Sequence, residues 1–201
     1  MATIEITPRS MYYGSCVALL VTLNEDGSEN IAPMSSTWSL RNRIVLGMGA
    51  ASRTVANLRR LPELTINLPS ASMWQQVERL SGLTGMPEVP EHKAGQFRFE
   101  PDKWHAAELN RTASTGVRLG RISECPIQME AVVESTMLID EAPEGFVVVA
   151  ARVEAMHVHE SIALADGAGV DPDSWEPLIF SFRSYRSAER EVGRMSRGVR
   201  K

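Results

Sequence analysis

Cysteine is scarce in this chain: Cys16 and Cys125 are the two among 201 residues. They form no C-x-x-C pair, and no His/Cys cluster has zinc spacing, so neither a zinc ribbon nor a disulfide scaffold is expected. Cys16 opens an apolar run and Cys125 precedes a proline. Both read as small buried residues, with free thiols in a reducing compartment. A strong charge of one sign is also missing. The formal net charge is −4 and the pI about 5.6. No basic half or stripe precedes the tail, which argues against a dedicated nucleic-acid binder. Aromatic residues make up 6% of the chain, too few for a base-stacking platform. No apolar run approaches the roughly 20 residues that span a bilayer, and the start, MATIEITPRS, lacks the apolar core of a secretory signal. A soluble cytoplasmic protein is the simplest expectation. There is no G-x-G-x-x-G after the first strand-like run, which makes a dinucleotide-binding doubly wound sheet a poor reading. No G-x-S-x-G elbow is present either.

What is present suits one domain over residues 1–201, since 43% of the residues are hydrophobic and supply a core. Residues 16–23 (CVALLVTL) form a short apolar run rich in β-branched residues. Asp26-Gly27 follows, a good hairpin signal before the more polar 29–40. Pro33 within that second run marks an edge strand or a bulge. A third strand covers 43–50, with Gly47 and Gly49 on one face. Glycines so placed mark close approach of a ligand or another backbone. A helix is expected over 53–61, stopped by Pro62. Residues 63–69 alternate as a fourth strand, and 73–82 read as a second helix with Gly82 as its cap. Periodicity then weakens over 83–126, a long loop insertion rich in Pro, Gly and charge. Its Phe97, Phe99 and Trp104 argue for order. Strands return at 127–138, 145–160 and 178–182, before a basic tail at about 186–201. Six or seven mostly consecutive strands with two inserted helices predict a mostly β protein, an antiparallel Greek-key barrel.

Two polar clusters carry candidate chemistry. Ser52, Arg53 and Thr54 begin the first helix, with Asn57 one turn later. A helix start has orphan N–H groups and a partial positive charge, which together favour an anion. Ser52 fits the N-cap, Arg53 matches phosphate geometry, and Thr54 adds a hydroxyl. A capped surface helix explains the same residues. The second cluster is Pro33, Met34, Ser35, Ser36 and Thr37, followed by Trp38. Three consecutive hydroxyls are unusual in a core strand. They suit either an exposed edge or a wall that hydrogen-bonds a planar heterocycle.

Taken in order, T-L-N-E-D-G (22–27), N-I-A-P-M-S-S-T-W (30–38), S-R-T-x-x-N-L (52–58) and I-N-L-P (66–69) resemble the flavin reductase-like, FMN-binding split-barrel family. That group includes flavoredoxins and the reductase components of two-component monooxygenases. T-G-x-x-x-V-P-x-x-K (84–93), E-C-P (124–126) and V-x-x-x-H-V (153–158) extend the match to roughly residues 10–185. The resemblance implies a split β-barrel binding FMN, with FAD possible. Residues 33–37 would line the pyrimidine side of the flavin. Ser52, Arg53, Thr54 and Asn57 would hold the ribityl phosphate, with Asn67 near the ribityl chain. It also implies a homodimer with flavin near the subunit interface, so that the 83–126 loop covers a neighbour's site.

His157 has two readings: a buried, hydrogen-bonded histidine at a strand end, or the family's histidine near the approaching nicotinamide. Its i, i+2 spacing to His159 suggests metal only weakly, because no acidic or Cys partner has suitable spacing; no metal is expected. Relatives follow the last strand with G-G-x-x-Y. Here Ser181 and Phe182 stand where the glycines would, while Tyr185 matches. The implied activity is hydride transfer from NAD(P)H to flavin, with His157 or Tyr185 on the nicotinamide side and a partner monooxygenase or electron-transfer protein as acceptor. Two alternatives stand beside it. One is an FMN-bound electron carrier with a protein donor; the other is a non-enzymatic, ligand-binding dimeric barrel.

Overall fold

The computed structural model describes residues 1–8, 11–89, 91, 94–140, 145–188 and 191–193. Lys93 of the quoted loop motif and most of the basic tail lie outside them. The first apolar run splits at Val17 into β1 (Tyr13–Cys16) and β2 (Ala18–Leu23), which enter different sheets. A five-residue connection with Gly27 at φ +85° leads to β3 (Glu29–Met34), where glycine's tolerance of positive φ is required. β4 (Thr37–Leu40), β5 (Arg43–Gly49), β6 (Glu63–Leu68), β11 (Ile127–Leu138) and β12 (Phe146–Val158) complete one antiparallel sheet. Its order is β3-β2-β6-β11-β12-β5-β4.

That order forces a barrel. β3 and β4 are the opposite edges of the sheet, yet only Ser35 and Ser36 separate them in the chain. Three Cα–Cα steps span at most about 11 Å, so the sheet must curl until its edges nearly meet. No β3–β4 ladder closes the seam, and this is the split in the barrel. Pro33 sits on the edge strand β3, where a missing N–H costs no ladder bond. The Ser15 hydroxyl of β1 donates to the Ser35 carbonyl beside the seam.

Two cores lie on the two faces of the sheet. Inside the barrel, Leu20, Leu46, Leu64, Ile66, Ala131 and Val149 pack together with Val55 and Leu58 of α1 (Arg53–Arg60). Outside it, Leu19, Val21 and Ile31 pack under α2 (Trp74–Ser81) and the 103–125 segment. β2 is therefore buried on both faces, which is why its sequence is apolar without alternation.

The 83–126 region is not the unstructured loop its periodicity suggests. It contains β7 (Leu83–Thr84), β8 (Arg98–Phe99), α3 (Lys103–Ala106), β9 (Arg111–Ala113) and β10 (Gly120–Ile122). Each is too short to leave a periodic signature. Order comes instead from burial of Leu109, Leu119, Ile122 and Cys125. At the C-terminus β13 (Ile179–Ser181) pairs with β1 and with β14 (Ser184–Arg186). The sequence reading missed β14 because its turn, Phe182-Arg183, lacks turn residues. Both adopt positive φ, 43° and 65°. Among the described residues no helix is long and apolar enough to cross a membrane.

Candidate flavin site

α1 begins where the sequence places it. Ser52 (φ −85°, ψ 153°) is the N-cap, and its Oγ accepts from Val55 N at 3.3 Å. The first intrahelical bond runs from Ala56 N to Ser52 O, 3.1 Å. The amides of Arg53 and Thr54 precede it and are orphan donors by construction. No acid occupies the first turn, and Arg59 and Arg60 fill the last, so the side chains leave the positive end of the dipole uncancelled. Arg53 Nε donates to Gly85 O at 2.9 Å, which anchors the guanidinium while its two terminal nitrogens have no partner among the described residues.

The other two predicted phosphate contacts point inward. Thr54 is buried, and its Oγ1 accepts from Asn30 Nδ2 at 3.4 Å. Asn57 is buried too, donating to Thr22 Oγ1 at 3.1 Å and Asn24 Oδ1 at 2.9 Å. These bonds tie the helix to the β2–β3 hairpin. Asn30 Oδ1 is a buried acceptor with no donor among the described residues. It lies so close to Gly85 that a Cβ there would be 2.4 Å away; any side chain at 85 would displace it. A cavity of about 220 Å³ opens beside it, lined by Gly85 and the carboxylates of Glu25, Asp26, Glu29 and Glu100 among others, with Arg53 the one cation among the described residues that line it. Hydrogen bonds from Ser28 hold the Asp26 carboxyl below its usual range, with a smaller contribution from Arg53.

The second cluster sits at the barrel seam. Ser36 O accepts from Gly47 N at 2.8 Å, and a Cβ on Gly47 would lie 3.3 Å from Ser36 Cβ. Gly47 therefore lets the seam approach β5 closely. A Cβ at Gly49 would meet nothing within 4 Å. The hydroxyls of Ser35, Ser36 and Thr37 are partly exposed and have no partner among the described residues. Pro33 and Met34 form the half-buried end of β3 just before them. β5 joins the two clusters: Gly47 touches the seam, and Gly49 O receives the Ser52 amide at 3.0 Å. Three free hydroxyls and an open helix start thus lie along one rim.

Asn67 is fully committed to the fold. It is 0% exposed, donates to Leu19 O and Thr65 Oγ1 at 3.1 Å each, and accepts from Ile122 N at 2.9 Å. His157 lies in the same row of the sheet, through the pairs Pro33–Leu19, Leu19–Asn67, Asn67–Gln128 and Gln128–His157. Four strand spacings separate it from Pro33, about 19 Å along the sheet. His157 Nε2 is 2.8 Å from Glu130 Oε1. Tyr185 belongs to the smaller sheet. Its OH donates to Glu78 Oε2 at 2.9 Å, and its ring packs against Phe180 and Trp74. Burial and then the Glu78 carboxylate push its hydroxyl pKa well up. The chain by itself thus gathers the seam and the helix start, and leaves His157 and Tyr185 elsewhere.

Two residues not singled out from the sequence matter here. Asn30 stood inside a quoted motif, but its orphan acceptor is a tertiary fact. Glu130 carried a visible signal, a lone acid within the apolar run IQMEAVV, and it is completely buried.

The family model described as "Flavin reductase like domain" matches residues 10–189 of the chain. The uncharacterized protein YdfE of Bacillus subtilis (strain 168) is 43% identical over 194 residues, covering 96% of this chain and 93% of that protein. Among solved structures, the flavoredoxin of Desulfovibrio vulgaris (Miyazaki F) superposes with a TM-score of 0.78 at 17% identity, covering 98% of both chains. Nitrilotriacetate monooxygenase component B from Bacillus cereus gives 0.76 at 16%, covering 96% of this chain and 99% of that one. At those identities the two structures speak for the split-barrel fold alone. The family match over nearly the whole length goes further: the chain belongs to the flavin reductase like family, and is a flavin-related oxidoreductase.

Proposed function

We propose that the protein binds FMN along the seam–helix rim and reduces it with NAD(P)H. The observation that carries this is the α1 start: two orphan amides, the Ser52 cap and the unspent terminal nitrogens of Arg53 form a donor set that fits a phosphate. The partly exposed hydroxyls of Ser35, Ser36 and Thr37 supply hydrogen bonds to a polar ring edge, beside Pro33 and Met34. Asn30 Oδ1 lacks a donor among the described residues, and a polyol chain would provide one. Thr54, Asn57 and Asn67 support the rim from beneath rather than touching the ligand. When bound, flavin supplies hydride and electron chemistry that no side chain offers. The protein's task is then to hold two rings at reacting distance and keep water from between them. His157 and Tyr185 are assigned to the nicotinamide side, and the acceptor of the reduced flavin is a partner oxygenase or another electron acceptor.

The same rim suits a homodimer. On the outer sheet face Trp38 pairs with Val45, and Val45 with Ala150; Leu40, Phe146 and Met137 are exposed nearby. A second copy covering this face brings side chains to the rim that the single chain holds far away.

A flavoredoxin-like electron carrier is the second reading. It is favoured by Phe182, whose exposed ring occupies the place of a family glycine. Titration of the purified protein with FMN tests the first claim. Arg53→Ala is expected to weaken binding at least tenfold, about 1.4 kcal/mol. No FMN binding by the wild type would remove the phosphate site. Binding without NAD(P)H oxidation would favour the carrier.

A further inference from the structure

Glu130 is the most enclosed carboxylate in the described chain, and its surroundings constrain His157. Its Oε1 accepts from Thr115 N at 3.0 Å and Thr115 Oγ1 at 3.3 Å, and its Oε2 from Gly116 N at 2.6 Å. Arg121 Nε lies 3.6 Å from Oε1, with the rest of that guanidinium spent on Gln128 Oε1 and Ala113 O. The two backbone amides and the Arg121 guanidinium can only donate, so they favour the ionised carboxylate. Burial alone would raise its pKa, but the two backbone amides and the His157 ring bring it down to about 2. An ionised carboxylate has no proton to give. The 2.8 Å contact therefore requires the proton on His157 Nε2.

We propose that Glu130 is the positioning residue of His157, fixing the imidazole as the Nε2–H tautomer and presenting Nδ1 as a free acceptor for the carboxamide N–H of the hydride-donating nicotinamide. The assignment rests on the NAD(P)H reading above. The His157 side chain is 31% exposed while Glu130 is 0%, so one ring nitrogen faces the buried anion and the ring's other edge reaches the surface. Nδ1 has no partner among the described residues. A ring fixed this way, with no proton on Nδ1, accepts at one defined atom, and a planar primary amide is a ligand class with an N–H to match it. Histidine rings held by a carboxylate at one nitrogen are oriented and tautomerically fixed for work at the other. The 113–119 segment serves as the clamp that keeps the carboxylate dry. Gly116 leaves room for this approach: a Cβ there would stand 3.3 Å from Glu130 Oε2, a tight contact.

The first arm of the test needs no activity. The imidazole ¹⁵N shifts of wild-type protein, loaded with FMN and held at alkaline pH, are expected to show His157 protonated at Nε2. Glu130→Gln is expected to give a mixture of tautomers, because a carboxamide both donates and accepts. An Nδ1–H ring in the wild type, or an unchanged tautomer in the variant, overturns the proposal. The second arm is kinetic. Glu130→Gln is expected to raise the KM for NAD(P)H about fivefold, the scale of one misplaced neutral hydrogen bond, with little loss in kcat. Added to His157→Asn it should cost nothing more. Additive losses would mean Glu130 acts only by holding the 113–119 segment, and would overturn the positioning role. A wild type that oxidises no NAD(P)H removes the nicotinamide as ligand, and with it the second half of the proposal. The ring spectrum still decides the first half.

Discussion

Glu130 and Lys103 are both buried ionisable residues, and each makes stability rise with pH, in two separate windows. Glu130 has a folded pKa of about 2 against an ordinary 4.5. Its contribution is fully present above 4.5 and is lost as pH falls through 4.5 toward 2. The difference corresponds to on the order of 3 kcal/mol. Urea melts of Glu130→Gln are expected to show lower stability than wild type at neutral pH, and a gap that narrows on acidification. Lys103 is 3% exposed, with Nζ donating to Ile31 O at 2.9 Å and Leu83 O at 3.4 Å. Burial lowers its pKa from 10.5 to about 8, against the opposing charge of Glu100. Between those values the unfolded chain binds the extra proton, so this residue makes stability rise with pH from about 8 to 10.5. Lys103→Met should flatten that slope in melts across the same window. A slope unchanged by the substitution would mean that the ammonium is hydrated.

At the level of elements, the α1 cap and the β13–β14 turn have different local costs. The N-cap of α1 depends on one hydroxyl, Ser52 Oγ. Ser52→Ala should cost about 1 kcal/mol of stability and also weaken FMN affinity, whereas a merely structural cap would change stability alone. The β13–β14 turn carries strain instead. Ser181 pairs with Ser184, leaving Phe182 and Arg183 as a two-residue turn with positive φ at both positions. That conformation suits Asn-Gly and penalises bulky side chains by roughly 1 kcal/mol each. Phe182→Asn with Arg183→Gly is therefore expected to raise stability by about 1 to 2 kcal/mol in thermal melts. If it also lowers NAD(P)H oxidation, Phe182 is kept for contact with a ligand or partner.

For the whole molecule, the barrel's outer face is uneven. α2 and the 103–125 segment cover one part of it, whereas Trp38 (59% exposed) and Leu40 (65% exposed) remain bare on the edge strand. Exposed edge strands with large apolar residues favour pairing with another chain. Trp38→Glu with Leu40→Glu should convert a dimer to a monomer by light scattering and reduce FMN affinity with it. A wild type that is monomeric at micromolar concentration would refute the homodimer.

Local pattern alone was enough for α1, β6, β11 and β12, where period and length agree with the structure to within a residue or two. It also identified the hydroxyl-rich seam, the Ser52 cap and the order of motifs that marks the family. Those features depend on neighbours in the chain, so they are legible there. The sheet order was not, because β2–β6 and β6–β11 pair residues far apart, and register depends on the whole core rather than on either strand. The same reason separates the polar residues. Asn57 and Asn67 are marked in the sequence by their type, and each spends its amide on a strand that only the folded barrel brings near. Glu130 and His157 are 27 residues apart in sequence, and only the β11–β12 ladder joins them. A polar side chain's chemistry is written in its type, but its partner is chosen by tertiary packing.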